Sequence, residues 1–157
     1  MKTAIIYTSK HGTTRKVAEE IAGLLSPNEV TLIMAGQKEE TDLELYDKII
    51  VGGSIHAGTI SKSLRKFLKS HRNLLLRKHL GLFLCCMFEE EAEEQMHRAF
   101  PEDLRNHAKS CHLVGGEYLF EEMNFIEKAM TRKIAGVSDS VSRLKHDKIN
   151  QLVRELS

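Results

Sequence analysis

The chain has 157 residues, which is enough for one domain with a sizeable buried core. Apolar residues make up 41% and charged residues 29%, and the net charge is +1, so composition gives no indication of a nucleic-acid or membrane-surface partner. No apolar run has the length of a membrane span, and the first residues lack the pattern of a signal peptide. We therefore expect a single cytoplasmic domain over residues 1–157, with Cys85, Cys86 and Cys111 as packed thiols.

Short apolar runs alternate with stretches of helical periodicity along the whole chain. The runs predict buried strands at residues 3–8, 29–35, 48–53, 79–88 and 111–118. The periodic stretches predict helices at residues 14–25, 61–75, 90–109, 120–134 and 139–156, with residues 26–28 ending the first. Alternation of this kind favours an α/β fold with a doubly wound, five-stranded parallel sheet in the order 2-1-3-4-5 and helices on both faces. Its ligand crevice lies at the carboxyl ends of strands one and three.

The turn between the first strand and the first helix consists of small or polar residues: Ser9, Lys10, His11, Gly12, Thr13 and Thr14. The first turn of a helix leaves backbone N–H groups unpaired and partly positive, and a phosphate satisfies both conditions. A helix cap needs only one hydroxyl residue, so several in one turn favour phosphate binding over capping alone. The turn has neither the spacing of a Walker loop nor that of the dinucleotide fingerprint.

This turn resembles the phosphate loop of the flavodoxins, Ser/Thr-x-Ser/Thr-Gly-x-Thr, with His11 where a hydroxyl residue is usual. The stretch YDKIIVGGSIHAG at residues 46–58 resembles the third strand and flavin loop of the same proteins. It is still more similar to the quinone-dependent protoporphyrinogen oxidases of bacteria, which carry Gly-Gly/Ala-Ser-Ile-x-x-Gly there. Those oxidases are flavodoxin-fold proteins with an added segment after strand five, and residues 115–147 are its counterpart here.

The resemblance implies that the chain binds FMN, with residues 9–14 around its phosphate. It implies that the isoalloxazine ring lies along the loop after strand three, formed by Ser54, Ile55, His56, Ala57 and Gly58. It also implies that the loop after strand four, formed by Cys86, Met87 and Phe88, covers the other side of the ring. Phe88 and Tyr118 are the nearest aromatic residues in the sequence, and we expect at least one of them to contact the ring.

Two classes of function stay open. The first is an FMN redox protein, either an electron carrier or oxidoreductase of flavodoxin type, which we favour, or a protoporphyrinogen oxidase that passes electrons to a quinone. Its partners would be a redox protein or a quinone, with protoporphyrinogen as a small-molecule substrate and without nucleic acid; peripheral membrane contact without a span stays open. The second class is a binding or signalling domain on the same fold that has lost FMN. No catalytic acid or base stands out, as expected where a cofactor carries the redox chemistry.

The segment after strand five carries apolar residues at roughly helical spacing. Two roles remain open for them, packing on the sheet and walling a substrate site beside the flavin. They are Phe120, Met123, Phe125, Ile126, Met130 and Ile134.

Overall fold

The computed structural model describes residues 1–25, 29–37 and 41–157, and the predicted end of the first helix at 26–28 lies outside them. Five parallel strands form one sheet in the order β2-β1-β3-β4-β5, which confirms the predicted topology. They are β1 (Thr3–Tyr7), β2 (Val30–Met34), β3 (Lys48–Ser54), β4 (His79–Cys85) and β5 (Ser110–Leu113). Every residue of β4 except His79 is buried, as expected for a central strand covered on both faces.

Helices cover both faces of the sheet. Their bounds are α1 (Thr13–Leu24), α2 (Lys62–Ser70), α3 (Arg72–Leu75), α4 (Ala92–Ala99), α5 (Glu102–His107), α6 (Phe125–Ala135) and α7 (His146–Leu156). Helices α1 and α7 pack on one face, where Ile21 and Ile149 join the core around Phe83. Helices α2 to α5 pack on the other face, where Leu64 and Leu104 lie in the second core cluster. Among the described residues, no helix is both long and apolar enough to cross a bilayer.

Several predicted helices are shorter or divided in the structure. The helix predicted at residues 61–75 is divided at His71, whose ψ of 14° does not continue an α-helix. The helix predicted at residues 90–109 is divided at Phe100, whose backbone is extended because it precedes Pro101. The predicted helices at 120–134 and 139–156 begin only at Phe125 and His146.

The predicted fifth strand is too long, because the chain leaves the sheet after Leu113. Gly115 has a φ of 77°, and a Cβ there would overlap the carbonyl oxygen of Arg143, so a glycine is required. Residues 117–142 then form an outer segment, in which the short strands β6 (Glu117–Tyr118) and β7 (Val141–Ser142) pair antiparallel and flank α6.

Helix α6 of the outer segment contains no buried residue. Its Asn124 N-cap forms a reciprocal capping box with Glu127, and its C-terminal end is closed by Gly136 in a left-handed conformation. Of the two roles left open for the apolar residues of this segment, packing on the sheet does not hold for four of them. The exposed fractions are 83% for Phe125, 68% for Ile126, 55% for Met130 and 64% for Ile134, whereas Phe120 is buried.

Candidate functional site

Three loops meet at the carboxyl edge of the sheet, because β1, β3 and β4 are adjacent and parallel. We name them the first loop (residues 9–14), the second loop (residues 54–58) and the third loop (residues 86–88). The second loop is joined to β4 by a hydrogen bond from Ile55 N to Cys85 O at 3.0 Å. The fold therefore brings all fourteen predicted site residues to one edge of the sheet.

The first loop leads into α1 through a left-handed glycine. Gly12 has a φ of 98° and occupies the N-cap position, and its N–H donates to Ser9 Oγ at 3.1 Å. No side chain of the described residues caps α1, and its first turn contains no acidic residue. The positive end of the helix dipole is therefore directed at this loop without a side-chain acceptor.

The two threonines of the first loop have different surroundings. Thr14 is 1% exposed, and its Oγ1 has no hydrogen-bond partner among the described residues, although the Cys85 thiol lies beside it. Thr13 instead donates to Glu117 Oε1 at 3.2 Å. A buried hydroxyl without a partner is costly, so Thr14 is the residue of this loop that most needs an external acceptor.

Two carboxylates of the outer segment contact the first loop and α1. Glu117 accepts from Lys16 Nζ at 2.9 Å and from Thr13. Burial acts to raise the pKa of Glu117, but its contacts with Ser142, Lys16 and Thr13 outweigh burial and lower that pKa. The carboxylate is thus held ionised at the side of α1.

The second carboxylate, Glu127, lies against Lys10 and His11 of the first loop. Its Oε2 is 2.9 Å from Lys10 Nζ and 2.9 Å from His11 Nε2. The contact with His11 is close in distance but lacks hydrogen-bond alignment, so the imidazole nitrogen keeps an unused position. The hydrogen bond from Lys10 is the main cause of the lowered pKa of Glu127.

The second loop forms a tight turn. Ala57 and Gly58 have φ values of 51° and 79°, and the backbones of His56 and Thr59 exchange hydrogen bonds at 2.9 and 3.2 Å. His56 Nε2 lies 3.0 Å from Ser54 Oγ. The His56 and His11 rings are nearly perpendicular, with their centroids 5.4 Å apart.

His56 therefore connects the first two loops. Its ring keeps access to solvent, but partial burial, followed by the nearby charges of His11 and Lys10, lowers the pKa of His56. The neutral imidazole is the form that these surroundings favour.

The third loop contacts the two glycines that precede the outer segment, Gly115 and Gly116. Cys86 is buried, and its N–H donates to Gly115 O at 2.9 Å. Met87 is half-buried against Gly116, whereas Phe88 is 45% exposed. Burial raises the pKa of the Cys86 thiol, as it raises that of Cys85 to about 12, so both are protonated, packed thiols.

A cleft of about 510 Å³ lies between the first loop, the end of β2, the second loop and the start of α2. Four predicted site residues line it, namely Ser9, Lys10, Ser54 and His56, whereas the third loop does not. Sequence reasoning did not assign the other nine lining residues to the site, among them Ser61, Lys62 and Arg65 at the start of α2. Ser61 could have been found, since a Ser that begins a helical pattern is a common N-cap, and here it accepts from Leu64 N at 3.2 Å.

Known proteins resemble this chain over part of its sequence and in its fold. Protoporphyrinogen IX dehydrogenase [quinone] of Escherichia coli K12 is 31% identical over 77 residues, which cover 48% of this chain and 42% of that protein. The chain thus matches less than half the length of this curated relative.

Solved structures show the same fold at lower identity. The oxidised flavodoxin 2 of Bacillus cereus has a TM-score of 0.64 at 18% identity, covering 99% of this chain and 97% of that protein. A flavoprotein from Lactobacillus acidophilus, solved in complex with FMN, has a TM-score of 0.50 at 19% identity, covering 73% and 91%. A family model described as a flavodoxin domain matches residues 4–143. The chain therefore belongs to the flavodoxin domain family.

Proposed function

We propose that this chain is an FMN-binding redox protein whose residues 1–157 act as one flavodoxin-like domain in the cytoplasm, with a redox protein as partner. Its membership of the flavodoxin domain family supports the cofactor and the redox role. The absence of disulfides among Cys85, Cys86 and Cys111 agrees with a reducing compartment.

The observation that carries the proposal is the unsatisfied first loop. Within the described part of the chain, Thr14 presents a buried hydroxyl without a partner, and α1 begins without a side-chain cap. A Cβ at Gly12 would meet no atom within 4 Å, so the space beside the loop is open. A phosphate monoester supplies the oxygen acceptors that these donors lack, and the residues present therefore fit the phosphate of FMN.

We assign the two other loops to the isoalloxazine ring. The turn at Ala57 and Gly58 exposes backbone at the edge of the sheet, and Phe88 provides an exposed aromatic side chain from the third loop. When bound, FMN supplies one- and two-electron chemistry. The chain's own contribution is to bind and orient it, and to place the neutral His56 imidazole and the Ser54 hydroxyl next to it.

Titration of the cofactor-free protein with FMN tests the proposal. Gly12→Val should abolish FMN binding, because its side chain fills the open space beside the loop. Gly136→Val is a matched control, since Gly136 also has a positive φ and open space around it but lies at the end of α6. Unchanged FMN affinity in Gly12→Val, or an equal loss in both variants, would contradict the assignment of the first loop.

Oxidation of protoporphyrinogen with a quinone as electron acceptor is the second candidate function. It is favoured by the partial match to the Escherichia coli enzyme. The FMN-loaded protein should be mixed anaerobically with protoporphyrinogen and a quinone. Turnover well above the uncatalysed background would establish the oxidase, whereas reduction by a flavodoxin reductase without such turnover would support the carrier.

A further inference from the structure

We propose that Glu127 competes with the phosphate of the cofactor for Lys10 and His11, so that phosphate binding releases the start of α6 from the first loop. This inference rests on the proposed function. It assigns a residue of the outer segment to the control of anion binding at the first loop.

The geometry makes Glu127 an internal anion for this loop. One carboxylate oxygen lies 2.9 Å from both the Lys10 ammonium and the His11 imidazole, and the Glu127 side chain is 23% exposed. A carboxylate on the Lys10 ammonium and beside the His11 imidazole, partly shielded from solvent, occupies the two groups that a phosphate would otherwise contact. Ligand phosphate must therefore displace this carboxylate or share these two groups with it.

The two carboxylates of the outer segment are not equally replaceable. The Glu117 side chain is 5% exposed and lies on β6, which is hydrogen-bonded to β7. Glu127 lies on α6, which buries no residue. The remaining described contacts of α6 with its surroundings include Thr131 Oγ1 with Met123 Sδ at 3.6 Å and Arg132 over the Phe120 ring at 5.5 Å. A helix with so few buried contacts opens at low cost once its ion pairs are lost.

A phosphate monoester has the advantage in this competition. It carries a charge of about −1.5 to −2 at pH 7 and has three acceptor oxygens. It can use donors that Glu127 does not contact, which are the Thr14 hydroxyl and the uncapped N–H groups of α1. Losing the Glu127 contacts costs little in comparison, because partly exposed ion pairs are weak.

Glu127→Gln isolates the charge of this residue. The capping box accepts either Glu or Gln at this position, so the variant keeps the start of α6. We expect Glu127→Gln to bind inorganic phosphate and FMN about fivefold more tightly than the parent, as an ion pair of about 1 kcal/mol would give. Riboflavin, which has no phosphate, should bind both proteins equally. Glu122→Gln is the matched control, because Glu122 is an exposed residue of the same segment that makes no described contact with the first loop.

Hydrogen exchange supplies a readout that is independent of activity. FMN should speed amide exchange at the start of α6 in the parent protein and change it less in Glu127→Gln. Slower exchange there, or a phosphate affinity that is unchanged or weaker in Glu127→Gln, would overturn the competition alone while FMN still binds. Failure of both proteins to bind FMN would overturn the proposed function, and the competition with it.

Discussion

Thr14→Val is the substitution that tests the unsatisfied first loop most directly. It replaces a buried hydroxyl, 1% exposed and without a hydrogen-bond partner among the described residues, by a methyl group of nearly the same size. An unsatisfied buried polar group costs about 1–3 kcal/mol. The Cys85 thiol beside it is a weak partner that offsets part of this cost. We therefore expect the free energy of unfolding of the cofactor-free protein to rise by about 1 kcal/mol.

The same substitution should weaken FMN binding. A hydrogen bond to a charged acceptor contributes about 1.5–3 kcal/mol, which corresponds to a loss of roughly ten- to a hundredfold in affinity. Thr13→Val is the matched control, because Thr13 donates to Glu117 at 3.2 Å. Removing that donor should lower the free energy of unfolding by about 1 kcal/mol. Thr13→Val and Thr14→Val are thus predicted to change the free energy of unfolding in opposite directions.

Urea denaturation of both cofactor-free variants, followed by circular dichroism at pH 7, measures the stability change. Fluorescence quenching of added FMN measures the affinity. A shift of 1 kcal/mol corresponds to about 2–4 °C in the melting temperature of a chain of this size. If Thr14→Val were destabilised as much as Thr13→Val, the Thr14 hydroxyl would have a partner in the folded chain, and the reasoning from its isolation would be wrong.

Three further substitutions test the core, the second loop and the aromatic contacts. Gly52→Ala should lower the free energy of unfolding by about 2 kcal/mol or more in urea denaturation, because its Cβ would overlap the Phe83 ring, and adding Phe83→Leu should restore part of the loss. The folded chain lowers the pKa of His56, so the unfolded chain takes up the proton first as the pH falls below about 6.5. The melting temperature should therefore fall between pH 7 and pH 5, and His56→Asn should reduce this fall. The reduction should be small, because the His56 ring is exposed to solvent. At least one of the variants Phe88→Leu and Tyr118→Leu should bind FMN about fivefold more weakly than the parent. If both variants bound FMN as tightly as the parent in titrations, the aromatic contact would be contradicted.

The centre of the sheet could be predicted because β1, β3 and β4 are buried almost throughout and appear as largely apolar runs. Helix lengths were less predictable, since apolar periodicity continues across a break when two short helices cover the same face. This is the case for α4 and α5, which both contribute to one core cluster and are separated at Pro101. The proline was a usable signal there, whereas nothing local in the sequence marks the interruption at His71.

The first and second loops of the site were predictable from topology, because the carboxyl ends of neighbouring parallel strands share one edge, whereas the third loop was predicted from the family resemblance. The carboxylates that meet the first loop were not. Thr13 and Glu117 are separated by 104 positions, and a single sequence without strand pairing for the outer segment gives no reason to place them together. Glu117 belonged to a predicted strand of the sheet, whereas its real partner strand, β7, was assigned to a helix.

The outer segment contributes to the site far more than to the core. Among the described residues, neither core cluster includes any position between Val114 and Leu144. The two ends of the segment are joined through hydrogen bonds from Arg143 N to Gly116 O and from Lys145 N to Val114 O, both 2.8 Å. The chain therefore leaves and re-enters the fold at nearly one point. What the segment does provide is two carboxylates beside the first loop and α1, with Glu117 against Lys16 and Thr13 and with Glu127 against Lys10, so its described contribution is charge at this edge and not packing in the core clusters.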